Sequence, residues 1–289
     1  MKILTIVILS ILAIGNSGCE DTDIRLATEA GVEAYKAVAL SDEEVAELSR
    51  QSAEYMDSEH IIAPAGNEYA LRLQSLVGNH YEQDGFTFNY RVYLKNDVNA
   101  FAIADGTIRI YSGLMDMMDD GELCFVIGHE MGHIVKQHTR NKLRLTYAAS
   151  AIRKGIASQN NIIGNIASSQ LGGFVEMLTG AQFSQLEEKV ADDYGLSYLK
   201  KEGYAPEKAV SALKKLATLG SSHSFLSSHP DPQARAERLS MQLQGKTLSI
   251  EETQQSYVDK VKSRIGFIDT ILLKLAEWFP SLFSHRARK

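Results

Sequence analysis

The period at which hydrophobic and polar residues alternate changes several times along the chain, and each change marks an element. Ser41-Asp42-Glu43-Glu44 has the form of a capping box, a hydroxyl followed three residues later by a glutamate. It predicts a helix running towards Glu59. Pro64 breaks that pattern, and Glu68 to Val77 reads as a second helix. Phe86 to Leu94 alternates with a period of two and is rich in aromatic and β-branched residues, which predicts a strand. Ala100 to Ala104 and Thr107 to Tyr111 read as a hairpin turning at Asp105-Gly106. Asp119 or Asp120 then caps a helix that is apolar from Leu123 to Val135. From Leu145 to Gly180 the chain is dominated by Ala, Ser, Gly and Asn; helical segments of this kind either gate a cleft or form a rigid hairpin. Pro206 to Leu219 reads as a helix with Pro in its first turn and Gly220 placed for a C-terminal cap. Ser221 to Ser228 reads as a mostly polar loop and Asp231 to Leu243 as a helix. These elements predict an α+β fold, mainly helical, with a small β-sheet beside the apolar helix.

Polar residues inside that apolar helix change the picture. His129-Glu130-Met131-Gly132-His133 lies among Phe125, Val126, Ile127, Ile134 and Val135. Polar groups buried in such a run need partners. Residues four apart share a helix face, so both imidazoles can reach one metal ion, and Glu130 beside them is placed to act on a water. H-E-x-x-H is a zinc-peptidase arrangement, holding one Zn2+ per chain. Such a site takes three protein ligands and keeps one open position. A third histidine in the register H-E-x-x-H-x-x-G-x-x-H is absent: Lys136 holds the Gly position, Thr139 holds the His position, and His138 is out of register. A later helix offers carboxylates instead. Glu188 and Asp192 are four apart in Glu187 to Asp193 and share a face. Glu188 is the expected third ligand. Asp192 is expected to accept a hydrogen bond from the distal ring nitrogen of His129, fixing its tautomer. Small Ala191 lets the helix pack closely. His60, His80, His138, His223 and His285 read as surface or loop residues, and Cys124 as a small buried hydrophobe.

Together these motifs resemble the HtpX-like and Ste-type zinc metallopeptidases, gluzincins in which H-E-x-x-H is followed by E-x-x-x-D. The resemblance covers roughly Ser41 to Leu243. Asn99-Ala100-Phe101-Ala102, Gly106 and Ile108 to Leu114 look like the family's strand and turn before the zinc helix. His229-Pro230 with Arg235 looks like its late segment. The resemblance implies a zincin-like metallopeptidase domain in which an edge strand of the hairpin pairs with an extended peptide substrate. It gives His229 and Arg235 as donors to the oxyanion of the reaction. His229 has a second possible role, as a removable fourth ligand that shuts the site.

Composition bounds the rest. The chain has 289 residues, 44% hydrophobic and 23% charged, enough for one core with tails. The expected division is a lipoprotein-type signal peptide (1–18), a tether (19–40), the metallopeptidase domain (41–245) and an amphipathic extension (246–289). Net charge is −6, or −7 without the signal and its Lys2, which argues against nucleic-acid binding. Lys2 precedes an apolar run, Ile3 to Ile14, too short for a comfortable membrane span. Gly18-Cys19 suits lipoprotein processing with Cys19 lipidated; the alternative is an uncleaved hydrophobic anchor. By analogy with Gram-negative sorting, Glu20 after Cys19 favours a periplasmic protein held at the outer membrane. Ile265, Ile268, Ile271, Leu272, Leu275, Phe279 and Leu282 recur at helical spacing before a basic end, as in a membrane-surface helix or a docking helix. The resulting expectation is a membrane-tethered zinc endopeptidase acting on misfolded or envelope proteins. The alternative is an envelope chaperone or assembly factor with a latent zinc site.

Overall fold

In the computed structural model the described residues are 40–154, 168–220 and 223–246. The expected signal, Cys19, the tether to residue 39, His285 and the apolar stripe after Ile265 lie outside them, as do residues 155–167 of the Ala/Ser/Gly-rich stretch. The chain divides into two compact units, residues 1–236 and 237–289. Every residue of the histidine site belongs to the first.

Helix α1 (Asp42–Glu59) begins at the expected capping box: Ser41 Oγ accepts from the Glu44 N–H, and Glu44 Oε2 accepts from the Ser41 N–H. Helix α2 (Glu68–Val77) begins at Asn67, whose side chain accepts from the Tyr69 N–H. The expected strand Phe86–Leu94 is two strands. Asp84 and Gly85, at φ 52° and 82°, turn β1 (Glu82–Gln83) back onto β2 (Phe86–Thr87). That two-residue Asp-Gly turn fixes the register of β2 on β1. Phe88 extends that pairing by one rung, donating its N–H to Tyr81 O at 2.7 Å, and β3 (Asn89–Tyr93) then joins a different sheet. The hairpin of β4 (Ala100–Ala102) and β5 (Thr107–Tyr111) forms as expected, with Ala100 opposite Ile110. Gly106 turns it at φ 95°, where an added Cβ would meet Thr87 O at 1.9 Å. Strand β3 runs parallel to β5, giving the order β3-β5-β4, with β5 buried throughout and β4 at an edge.

The remaining elements are helical: α3 (Ser112–Met117), α4 (Asp120–Val135), α5 (His138–Lys154), α6 (Ser168–Gly180), α7 (Gln185–Lys201), α8 (Glu207–Ala217), α9 (Ser224–Ser228) and α10 (Pro232–Leu243). The molecule is therefore α+β and mainly helical. Two expectations are corrected. Helix α8 ends at Ala217 with Thr218 as its cap in helical conformation, so Gly220 is not the cap. The polar loop before His229 contains α9, which forms because Phe225 buries its ring and the His223 side chain caps the Phe225 N–H at 3.2 Å.

Helix α4 is fixed first at its N-terminus. Asp119 is the cap: it accepts from the Glu122 N–H at 3.0 Å, while Glu122 accepts from the Asp119 N–H at 2.8 Å. Glu122 is buried, and α8 satisfies it with Lys215 Nζ and Ser211 Oγ, each at 2.6 Å. Arg72 of α2 donates to Asp120 and to the carbonyls of Met115 and Met118. Further along, α4 packs more extensively against α7 than against any other element. The two helices meet through residues with almost no side chain. A Cβ on Gly195 would lie 2.9 Å from Phe125 O and 3.0 Å from His129 N, and one on Gly128 would lie 3.0 Å from Gly195 Cα. Gly132 meets Ala191 Cα at 3.2 Å in the same way.

This crossing predicts opposite signs for two chemically identical substitutions. Gly195→Ala forces a methyl into α4 backbone and lowers unfolding stability by about 1 kcal/mol, the strain exceeding the gain in helix propensity. Gly173→Ala in exposed α6, with nothing within 4 Å of the new methyl, raises it by roughly 0.5–1 kcal/mol. Urea unfolding of both variants checks this; a stabilised Gly195→Ala contradicts the close approach.

Candidate metal centre

The crossing brings the first turn of α7 against the last two turns of α4, and α9 delivers a further histidine to the same point. His129 Nε2 and His133 Nε2 lie 3.0 Å apart. Glu188 Oε1 is 3.3 Å from His133 Nε2, and Glu188 Oε2 is 3.7 Å from His129 Nε2. His229 Nδ1 is 3.0 Å from Glu188 Oε1 and 3.3 Å from His129 Nε2. His129, His133, Glu188 and His229 each offer one donor atom to this group, all within 4.8 Å of one another, and all four residues are buried. Three of them are the ligands expected from the sequence, and His229 stands among them.

Behind this group is a buried ionic network. Asp192 Oδ1 lies 3.0 Å from His129 Nδ1, as expected from its place on α7. Arg235 donates to both Asp192 oxygens, from Nε at 3.0 Å and from Nη2 at 2.6 Å, and its Nη1 forms an ion pair with Glu188. Burial alone would raise the pKa of both carboxyl groups. The Arg235 charge outweighs it only together with His229 and His133 at Glu188 and with His129 at Asp192, and the sum holds both well below the usual carboxylate range. Burial opposes the Arg235 charge in turn, but the two carboxylates keep the guanidinium protonated. Burial also pushes the His133 imidazole towards its neutral form, against the pull of Glu188. The sequence offered Arg235 as an oxyanion donor; its guanidinium is instead turned to Asp192 and Glu188.

Glu130 is 1% exposed, and neither of its carboxylate oxygens has a hydrogen-bond partner among the described residues. His229 Nε2 stands 3.6 Å from Glu130 Oε1. Glu130 and His229 face a narrow cleft. Edge-strand residues Phe101 and Ala102 line it on one side, with Lys142 of α5 and Leu178 of α6 on others. The Ala/Ser/Gly-rich region thus forms a wall of the cleft in its described parts.

These residues fit a metal ion. Asp192 engages the Nδ1 of His129, which leaves the Nε2 lone pair pointing to the place where His133 Nε2, His229 Nδ1 and Glu188 Oε1 converge, a cluster of electron-pair donors suited to a cation. The buried Glu130 carboxylate, with no hydrogen-bond partner on either oxygen among the described residues, makes a similar demand for a ligand in the site. Imidazole nitrogens and a carboxylate oxygen suit Zn2+.

Three neighbours carried no usable signal in the sequence. His138 was expected at the surface or in a loop. It is buried, because Gln137, at φ 59°, turns the chain so that the first residue of α5 meets the last turn of α4. Its Nδ1 lies 3.2 Å from His133 Nδ1. Phe183 stacks on the His133 ring with centroids 3.8 Å apart. The Lys142 ammonium sits 4.2 Å from the centre of the Phe183 ring, and burial pushes its pKa down to about 8. Cys124, by contrast, is the inert buried thiol expected, its pKa pushed up to about 12 by burial.

Comparison with known proteins agrees with this geometry. Residues 69–242 match the model of peptidase family M48. Metalloprotease LoiP of Escherichia coli (strain K12) is 41% identical over 244 residues, covering 83% of this chain and 96% of the relative. Metalloprotease YcaL of the same organism is 36% identical over 231 residues, covering 77% and 90%. A more distant relative, the β-barrel assembly-enhancing protease of Escherichia coli (strain K12), is 24% identical over 215 residues, covering 69% and 44%. With its H-E-x-x-H on α4 and its buried carboxylate on α7, the chain belongs to peptidase family M48 and is a metalloendopeptidase.

Proposed function

We propose that this metalloendopeptidase is zinc-dependent and works in the bacterial cell envelope, cutting misfolded or envelope proteins. The observation that carries the reading is the buried convergence of His129, His133 and Glu188 beside an unpartnered Glu130 at the floor of a cleft. His129, His133 and Glu188 are the proposed ligands. Asp192 and Arg235 are positioning residues that hold His129 and Glu188 in place. Bound zinc supplies Lewis acidity, polarising the scissile carbonyl and acidifying water. Glu130 takes the proton of the attacking water and delivers it to the leaving amine. The substrate lies extended along the edge of β4, so recognition is largely through backbone hydrogen bonds and selects unfolded chain over a particular sequence.

His229 is assigned as a removable fourth ligand in preference to an oxyanion donor, because its Nδ1 stands as close to Glu188 as a ligand would. Envelope location is supported by the N-terminal apolar run Ile3 to Ile14 followed by Gly18-Cys19, and by the name of the β-barrel assembly-enhancing protease, which ties that relative to β-barrel assembly. No helix among the described residues is long and apolar enough to cross a membrane. Attachment is assigned to a lipid on Cys19, at the outer membrane, on the strength of the Gly18-Cys19 pair, and to the apolar stripe after Ile265. The net charge of −6 argues against nucleic-acid partners.

Glu130→Gln is expected to cut casein hydrolysis by ~10²–10⁴-fold while zinc stays bound at one per chain. Turnover retained by a metal-replete sample sinks the mechanism. Glu188→Ala is expected to lose stoichiometric zinc, read by metal analysis after gel filtration; normal zinc content removes Glu188 from the ligand set. His229→Ala is expected to raise casein hydrolysis several-fold at saturating zinc. A fall in rate assigns His229 to the reaction itself. Zinc-replete wild type and His229→Ala that both leave casein intact would favour a chaperone with a latent site.

A further inference from the structure

We infer that His138 is a positioning residue for His133, its Nδ1 lone pair accepting the His133 Nδ1–H and fixing that ligand in the tautomer that presents Nε2 to the metal. The inference rests on the proposed ligand set. His133 Nε2 faces His129 and Glu188, so Nδ1 is the nitrogen left to carry the proton of a neutral ligating ring. The partner found for that Nδ1 among the described residues is His138 Nδ1, at 3.2 Å. A donor on His133 makes His138 Nδ1 the acceptor, which places the proton of His138 on its own Nε2. The ring planes cross at 71° with centroids 5.2 Å apart, so the contact is edge to edge and not a stack. Phe183, stacked on His133 at 26°, fixes the plane of the ring, and His138 fixes its rotation within that plane.

The two helical ligands are thus backed by different chemistry. His129 rests on a carboxylate that is itself held by Arg235, whereas His133 rests on a neutral imidazole. His138 is also the first residue of α5, so the same hydrogen bond ties a wall of the cleft, which carries Lys142, to a metal ligand.

The test is zinc affinity of the full chain, measured by chelator competition, for wild type, His138→Phe, His138→Asn and His133→Ala. Phe keeps a ring without an acceptor, and Asn places an oxygen where Nδ1 stood. Loss of the hydrogen bond is expected to weaken zinc about 10–100-fold in His138→Phe, while His138→Asn stays close to wild type. Zinc binding of wild-type strength by His138→Phe overturns the inference, and so does equal weakening in both variants, which marks a packing role. Long-range proton–nitrogen NMR on the zinc-loaded wild type gives a second reading that does not depend on the folding of any variant. The expected tautomer of His138 has the proton on Nε2; a proton on Nδ1 overturns the inference. His133→Ala that binds zinc as wild type does overturns the ligand set beneath it, an outcome distinct from failure at His138 alone.

Discussion

The centre depends on the distance between two helix backbones. Glu188 is one carboxylate on a helix otherwise remote in sequence from His129 and His133, and its side chain reaches only so far. Gly128, Gly132, Ala191 and Gly195 remove the side chains that would hold α4 and α7 apart, so that a Cβ at Gly195 would lie 3.0 Å from the backbone nitrogen of His129 itself. Helices in water-soluble proteins normally pack 8–10 Å apart, set by the side chains at the contact. Stripping those side chains costs helix propensity at each glycine, roughly 1 kcal/mol. That expense makes sense only if closeness matters more than helix stability. Gly128 and Gly132 each lie one residue before a histidine, so the side of α4 that packs lies about 100° round the helix from the side that ligates.

The second constraint is charge. Glu130, Glu188 and Asp192 are buried with the Arg235 guanidinium among them, and the Lys142 ammonium faces Glu130 and Glu188 from the cleft, three carboxyl groups against two cationic ones. Buried charge without compensation is expensive, and buried pairs recover the cost only when geometry and hydrogen bonding are nearly complete. Here Asp192 is fully engaged, whereas both oxygens of Glu130 have no partner among the described residues. A divalent cation would offset the excess of carboxyl groups. On the proposed ligand set, its binding would contribute to folding, because converging buried ligands repel one another without it. Arg235 belongs to this balance: it neutralises the carboxylates behind the ligands, which keeps Asp192 ionised as an acceptor for His129 and keeps Glu188 ionised as a donor of electron pairs.

Much of this was legible in the sequence, and the legible parts share a property: they are local. The capping boxes at Ser41 and Asp119, the hairpin at Gly106 and the i, i+4 pairs His129/His133 and Glu188/Asp192 are each written within a few consecutive residues. What escaped depends on tertiary approach. Phe86–Leu94 has one alternating pattern but serves two sheets, because the Asp84-Gly85 turn claims its first two residues. His138 fails every ligand template, yet a single left-handed residue, Gln137, folds it back onto His133. Phe183 and Lys142 join the site from segments with no motif. The glycines of α4 and α7 were visible as letters, but their meaning required knowing which helix crosses which.

The arrangement also separates chemistry from recognition. The groups that must hold fixed geometry stand on α4 and α7, anchored by the glycine crossing and, at the start of α4, by Arg72, Lys215 and Ser211. Rigid elements hold a reactive constellation more precisely than loops do. The groups facing a substrate are different in kind: an edge strand with backbone to offer, and apolar side chains of α5 and α6 opposite it. Backbone pairing discriminates little between side chains, but it does discriminate between extended chain and folded protein, since only extended chain can add a strand. On the proposed function, recognition along that edge would select extended chain without a sequence-reading pocket, and the fixed centre would act on whatever extended segment the edge admits.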